Sequence, residues 1–312
     1  MNGALPEWPT LAFVVLQNLG FALAIGVLAV HRWCGDPALA WHRDIRRHGA
    51  RILRAALLTS IAASVVAFWL HCASMSETPL AQTGPAVCAP LLGTGFGRAW
   101  LVNAAALSGA TLLAWRRGDD GALRHPVLLA ALLAIGALAR SHSGHPVDAG
   151  RFSPPVWIDW LHLLAISVWV GIVLLAAFAV VPRLRRDSGS AGGGEFMQAL
   201  SDTATVALVV LVGTGAFNGW RNLGSGAALL DSTYGAILAV KLGFVATAAA
   251  LGGYNRCAVM PALMRAVREP ASPDWRHGLA RFQTVLRIEA ATLAIAMLAA
   301  ARLAGSPLPG TG

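Results

Sequence analysis

The sequence predicts an all-α, polytopic integral membrane protein built as a bundle of eight transmembrane helices. Three observations predict it. The 312 residues are 56% hydrophobic and only 12% charged, where a soluble domain carries about 25% charged residues. Eight apolar stretches recur along the chain, most of them near the roughly 20 residues that a spanning helix needs. The arginines are sorted to one side of those stretches, as a membrane orientation requires.

The stretches run at about 10–31, 52–71, 96–115, 126–141, 156–181, 199–220, 234–254 and 283–304. The first has no basic leader and is too long for the apolar core of a signal peptide, so it is expected to be retained. The fourth is the shortest and is expected to begin near Leu123 or to continue past Arg140. The connecting segments 32–51, 72–95 and 255–281 read as loops, and none has the apolar pattern for a core of its own. Segment 72–95 is rich in Pro, Gly, Ser and Thr and reads as irregular, and Asp187–Gly194 reads as a flexible linker. The expected domain organisation is therefore a single membrane domain over 1–312. Tryptophans such as Trp8, Trp33, Trp69, Trp100, Trp115, Trp157, Trp160 and Trp220 mark the predicted interfaces.

Of the 23 arginines, 18 flank or lie in alternate loops, and five (Arg98, Arg140, Arg151, Arg221, Arg302) fall on the other side. The positive-inside rule puts the 18 in the cytoplasm and both termini outside, which requires an even number of spans. The net charge of +9 is explained by this distribution, and nucleic-acid binding is not expected.

The same orientation divides the histidines. His71, His142, His145 and His162 fall at the outer ends of predicted helices, while the other five lie among the inner arginines. His162 would lie roughly 10 Å down its helix at about 1.5 Å per residue. Imidazole nitrogen binds Cu(II), Zn(II) and haem iron, and sulfur favours Cu(I). A site of His71, His142, His145 and His162, with Cys72, Met75 or Cys88 nearby, suits copper in either redox state. Asp159, one helical turn before His162, is positioned to orient its ring through a hydrogen bond. Two other readings of these imidazoles stay open. They are separate interfacial residues with no shared ligand, or a pair such as His71 with His162 or His142 holds haem b in a membrane oxidoreductase. Cys72 and Cys88 share the outer side, as a disulfide, a reduced copper-binding pair or two unrelated thiols.

Charged residues inside a bilayer are costly and face a cavity or each other. Lys241 and Glu289 lie within the last two predicted helices. They form an ion pair with each other, or they belong to a polar path with Asn218, Arg221 and Tyr234 at its outer mouth and Asn255 and Arg256 at its inner end. No Gly-x4-Gly-Lys-Ser/Thr motif is present, so any transport is passive or ion-coupled.

The fifth helix reads Asp-Trp-Leu-His162-Leu-Leu-Ala-Ile-Ser-Val-Trp169-Val-Gly171. This resembles the His-x6-Trp-x-Gly signature of the copper resistance protein D (CopD) family. Further features agree in order: Ser141-His142, Thr214-Gly215, Asn218, Ser232-Thr233-Tyr234-Gly235, Lys241, Asn255-Arg256, Arg287 and Glu289. The CopD-like region covers about 140–304. The resemblance implies a multi-pass protein of the bacterial inner membrane that moves copper from periplasm to cytoplasm, and the arginine distribution then makes both termini periplasmic. It implies a periplasmic copper-binding partner of the CopC type beside the lipid bilayer. A non-transporting docking partner for such a chaperone is a third reading. His162 and His142 carry over as metal residues, and Lys241, Asn255, Arg256 and Glu289 as family positions. His71, Cys72, Met75 and Cys88 rest on their chemistry alone.

Overall fold

A computed structural model describes residues 7–36, 38–116, 121–186, 191–223, 228–267 and 274–306. The architecture is all-α. A helix stands at each of the eight expected stretches, and six are long and apolar enough to cross a membrane. They are Trp8–Trp33, Ala40–Met75, Pro154–Leu184, Gly193–Leu223, Thr233–Arg265 and Trp275–Ala304. The third and fourth stretches form α4 (Gly95–Trp115) and α5 (Pro126–Ser141). These two pack on each other, but α5 has only 16 residues and Arg98 and Asn103 break the apolar run of α4.

Helix α1 (Glu7–Trp33) packs along α2 (Ala40–Met75) and α6 (Pro154–Leu175). The expected loop 32–51 is largely the first three turns of α2. Trp41, His42, Ile45, Arg46 and Ala50 give that stretch a buried face. Arg46 Nη1 donates to the carbonyls of Cys34 (3.2 Å) and Gly35 (3.0 Å), satisfying acceptors left open where α1 ends. The expected irregular segment 72–95 is also partly helical. Helix α2 continues to Met75, and α3 (Gly84–Gly93) follows with Pro85 in its first turn, where a missing N–H costs nothing.

Helix α6 is central, with 72% of its apolar window buried against 17% for each of the Gly193–Leu223 and Thr233–Arg265 spans. It starts at Pro154-Pro155, passes through a π-helical turn at Ala176–Val180 and ends in α7 (Val181–Leu184). Against α1 it makes a backbone-to-backbone crossing. A Cβ on Gly171 would stand 2.0 Å from Ala22 O, and one on Gly26 would stand 2.4 Å from the Gly171 carbonyl carbon.

Helix α8 (Gly193–Leu223) packs on α6, and the short α9 (Ala228–Asp231) leads to α10 (Thr233–Tyr254). Ser232 caps α10, its hydroxyl accepting from Gly235 N at 2.9 Å. The expected loop after residue 254 is instead a π-helical turn, Asn255–Val259, running into α11 (Met260–Val267). Helix α12 (Asp274–Ala304) packs along α10 and crosses α6. One hydrophobic cluster, including Phe21, Leu57, Leu133, Trp169, Phe196 and Leu293, joins these helices. Exposed Leu112, Val127, Val206, Val209 and Trp220 give the bundle the apolar exterior that lipid solvates.

Candidate functional site

The half of the bundle that the arginine distribution predicts to face outward, the outer half, is organised around α6. His162 Nδ1 lies 3.0 Å from Thr214 Oγ1 on α8. The Thr214 hydroxyl donates its single hydrogen to Val210 O at 2.6 Å, so it accepts from the ring. That assigns the hydrogen to Nδ1 and leaves the Nε2 lone pair available as a ligand. Gly215 makes room for the imidazole: a Cβ there would be 3.3 Å from His162 Cε1.

One turn earlier, Asp159 accepts from Asn218 Nδ2 at 3.4 Å. The charges of Arg140 on α5, Lys241 on α10 and Arg221 on α8 all act on this carboxylate. Arg140 also donates to Asn18 Oδ1 of α1 and lies over the Phe21 ring. Asp159 was expected to orient the His162 ring. Instead it faces these basic groups, and Thr214 takes the ring N–H. Tyr234 lies nearby on α10, its hydroxyl accepting from Asn222 Nδ2 at 3.0 Å.

The other outer candidates have separate surroundings. His71 rests on the Phe96 ring, centroids 4.8 Å apart. His142 has Leu138 O at Nδ1 and Arg151 O at Nε2, both at 2.8 Å. The His145 side chain lies outside the described residues. Cys72 is buried on α2, Cys88 is exposed on α3, and neither is in a disulfide. Met75 is exposed at the end of α2. Among the described residues, no three side chains of His, Cys, Asp and Glu come together as a metal-binding group.

The inner half holds a cavity of about 240 Å³ between α6, α8, α10 and α12, walled by groups such as Leu200, Ala204, Phe282 and Leu286. Glu289 lines it, buried on α12, and its Oε1 accepts from Trp169 Nε1 at 2.9 Å. Gly252 faces that carboxyl, where a Cβ would be 3.4 Å from Oε1. The Asn255 side chain is 4% exposed and lines the cavity, with no hydrogen-bond partner at either Nδ2 or Oδ1. Arg256, at the exposed rim, donates to Asp202 Oδ1 and Ser201 Oγ on α8, both at 2.8 Å.

Of the expected path residues, Asn218, Tyr234 and Lys241 thus lie in the outer half, and Asn255, Arg256 and Glu289 around the inner cavity. Of the two readings of Lys241 and Glu289, the ion pair between them is not formed. Lys241 acts on Asp159 and His162, and Glu289 is held by Trp169. Sequence reasoning placed Arg140 at the outer end of the fourth stretch and gave it, Asn18 and Asn222 no role in the site. The signal available for Arg140 was its position at the end of an apolar helix, where a cation needs a partner.

The chain matches two protein-family models: copper resistance protein D over residues 194–303, and the copper resistance protein D-like N-terminal domain over residues 5–150. The second covers the part in which no family pattern was legible. Helix α6, with the His162 signature, lies between the two ranges. The chain is 29% identical over 271 residues to copper resistance protein D of Pseudomonas syringae pv. tomato, covering 81% of this chain and 84% of that protein. It is 24% identical over 143 residues to copper transport protein CutJ of Bacillus subtilis strain 168, covering 46% of this chain and 26% of that protein. No solved structure matches the chain. With matches to both halves, and with six helices able to cross a membrane, the chain belongs to the copper resistance protein D family of multi-pass, copper-related membrane proteins.

Proposed function

We propose that this protein carries copper across the bacterial inner membrane from periplasm to cytoplasm, with both termini periplasmic. The matched relatives are named for copper resistance and copper transport, and the arginine distribution supports the orientation. A periplasmic copper-binding protein of the CopC type delivers the ion. His71, His142 and His145, with Cys72, Met75 and Cys88 near them in sequence, form the capture region at the outer face. His162 takes the ion below the surface. Asn218, Tyr234 and Lys241 border the outer part of the route, and Asn255, Arg256 and Glu289 the inner part.

The observation that carries this reading is the layout of α6. His162 offers an unprotonated Nε2 to the outer polar group, fixed by Thr214. Trp169, about two turns further in at 3.6 residues per turn, reaches the inner cavity. The helix therefore presents a ligand to one side of the membrane and a chamber to the other. The test is copper accumulation in cells carrying His162→Ala. The expected result is loss of accumulation, and unchanged uptake with unchanged copper binding would overturn the proposal.

A further inference from the structure

We propose that Glu289 is a proton-exchange site, whose carboxyl gains and loses a proton through the inner cavity, and that this exchange accompanies copper passage. Only the second half rests on the transport reading above.

The argument begins from what surrounds the carboxyl. Glu289 is 2% exposed, within a helix long and apolar enough to cross the membrane. Among the described residues it has no salt bridge, and its hydrogen-bond partner is the neutral Trp169 indole. An ionised carboxylate in such surroundings needs a compensating charge. Among the described residues, the elements around α12 bring no cation within ion-pair distance of this carboxyl. From α6 and α7 come Trp169 and Arg183, the latter bonded to Ala179 O. From α8, across the cavity, come Ser201 and Thr205, and from α10 Gly252 and Gly253, with Lys241 farther along that helix acting on Asp159. From the following π turn comes Arg256, already paired with Asp202. Arg265 on α11 donates to Pro261 O, and on α1 His31 accepts from Leu123 N, with Arg32 at the helix end. On α12 itself Arg281 and Arg287 lie over Tyr254 and Phe178.

The cavity provides the route for the proton. Its volume of about 240 Å³ exceeds the ~15 Å³ that one water needs on that measure. The Asn255 amide is buried beside this space and unpartnered at both its nitrogen and its oxygen, where a buried amide ordinarily has a partner. It sits on a π-helical turn, a local irregularity frequent at functional sites. A metal ion would require several donors, and the cavity carries one carboxylate and no histidine or cysteine. A proton requires only the carboxyl oxygen that Trp169 leaves open. In the uptake step a proton from water in the cavity adds to that oxygen to give the neutral acid. Release returns it to water, and no other bond changes.

The test uses the full chain in lipid nanodiscs and infrared difference spectra between acidic and alkaline buffer. A carbonyl band of a protonated carboxylic acid is expected in the wild type, retained in Asp159→Asn, and missing from Glu289→Gln. Glu289→Asp should restore a band, which guards against a misfolded Gln variant. Trp169→Phe should move the band to higher frequency, because the carbonyl loses its donor. The same band in Glu289→Gln as in the wild type, or no titrating band in the wild type, overturns the site. For coupling, liposomes containing only this protein and a trapped pH dye receive copper(I). Proton counterflow is expected, and its loss in Glu289→Gln with copper binding retained. Copper flux without proton movement overturns the coupling. Absence of wild-type copper flux overturns the transport reading, while the infrared band still decides the proton site.

Discussion

Trp169 of α6 and Glu289 of α12 are joined by a buried hydrogen bond, Nε1 to Oε1, of 2.9 Å. It gives a physical role to the second residue of the His-x6-Trp-x-Gly pattern, and the other two have roles of their own. His162 bonds Thr214 of α8, and Gly171 meets the backbone of α1. At 3.6 residues per turn, positions seven apart share a helix face, whereas positions nine apart lie on opposite faces. His162 and Trp169 therefore look toward the later helices, and Gly171 looks back at α1. The pattern is the set of contacts by which the central helix ties both parts of the bundle together.

Trp169→Phe keeps the ring packing but removes the donor. A buried group left without its partner costs about 1–3 kcal/mol, so this variant should unfold at a lower temperature in detergent. Glu289→Gln keeps an oxygen to accept from the indole and removes only the ionisable group. It should unfold close to the wild-type temperature. A larger loss in Glu289→Gln than in Trp169→Phe would show that a charge, rather than the hydrogen bond, holds α12 to α6.

Much of this was legible in the sequence, because helix periodicity and apolar length are local properties. The Ser232-Thr233-Tyr234-Gly235 start of α10 was readable, since a serine cap acts within one turn. The helical start of α2 was not, because its stability comes from tertiary burial of Trp41, Ile45 and Ala50 and from Arg46 reaching carbonyls after α1. Pairing was the least legible. Lys241 and Glu289 could be read as partners by charge and depth, but Lys241 lies within the field of Asp159 and Glu289 is bonded to Trp169. The shared side of the four outer histidines was visible; that His142 has both ring nitrogens at local carbonyls was not.

Gly171→Ala tests the crossing of α1 and α6. Its Cβ would fall 2.0 Å from Ala22 O, and because both partners are backbone, a helix must move. Overpacking of this kind costs typically about 1–3 kcal/mol, occasionally more. Gly213→Ala on α8 and Gly243→Ala on α10 place a Cβ in open space, where alanine is favoured by up to about 1 kcal/mol in a helix. Thermal unfolding of the purified variants should therefore fall for Gly171→Ala and hold or rise for the other two. An equal effect at all three positions would count against the crossing.

Thr214→Val removes the hydroxyl that fixes the His162 ring while nearly conserving shape. Loss of such an orienting partner typically weakens metal binding about 10–100-fold. Copper titration of the purified protein should show that loss for Thr214→Val, partial recovery for Thr214→Ser, and no binding at this site for His162→Ala. His142→Ala should weaken binding less than His162→Ala, because a metal at His142 must first displace one of its two carbonyl contacts. Wild-type affinity in Thr214→Val would show that the ring needs no such support.

Lys241 and Asp159 set the charge at His162 in opposite senses. The Lys241 cation acts on both groups, so it repels a copper ion at the imidazole and is itself attracted by the carboxylate. Lys241→Gln removes the repulsion, and copper should then bind more tightly. At an effective dielectric constant near 20, charges several ångströms apart interact by about 1–2 kcal/mol, or roughly tenfold in affinity. Asp159→Asn leaves Arg140, Arg221 and Lys241 without this opposing charge and should weaken binding by a similar factor. The double variant should fall between the two, because each substitution removes a charge the other depended on. Tighter binding in Lys241→Gln should also slow release, so accumulation in cells falls as affinity rises. If both single variants shift copper affinity in the same direction, the ion does not bind within reach of this charge pair.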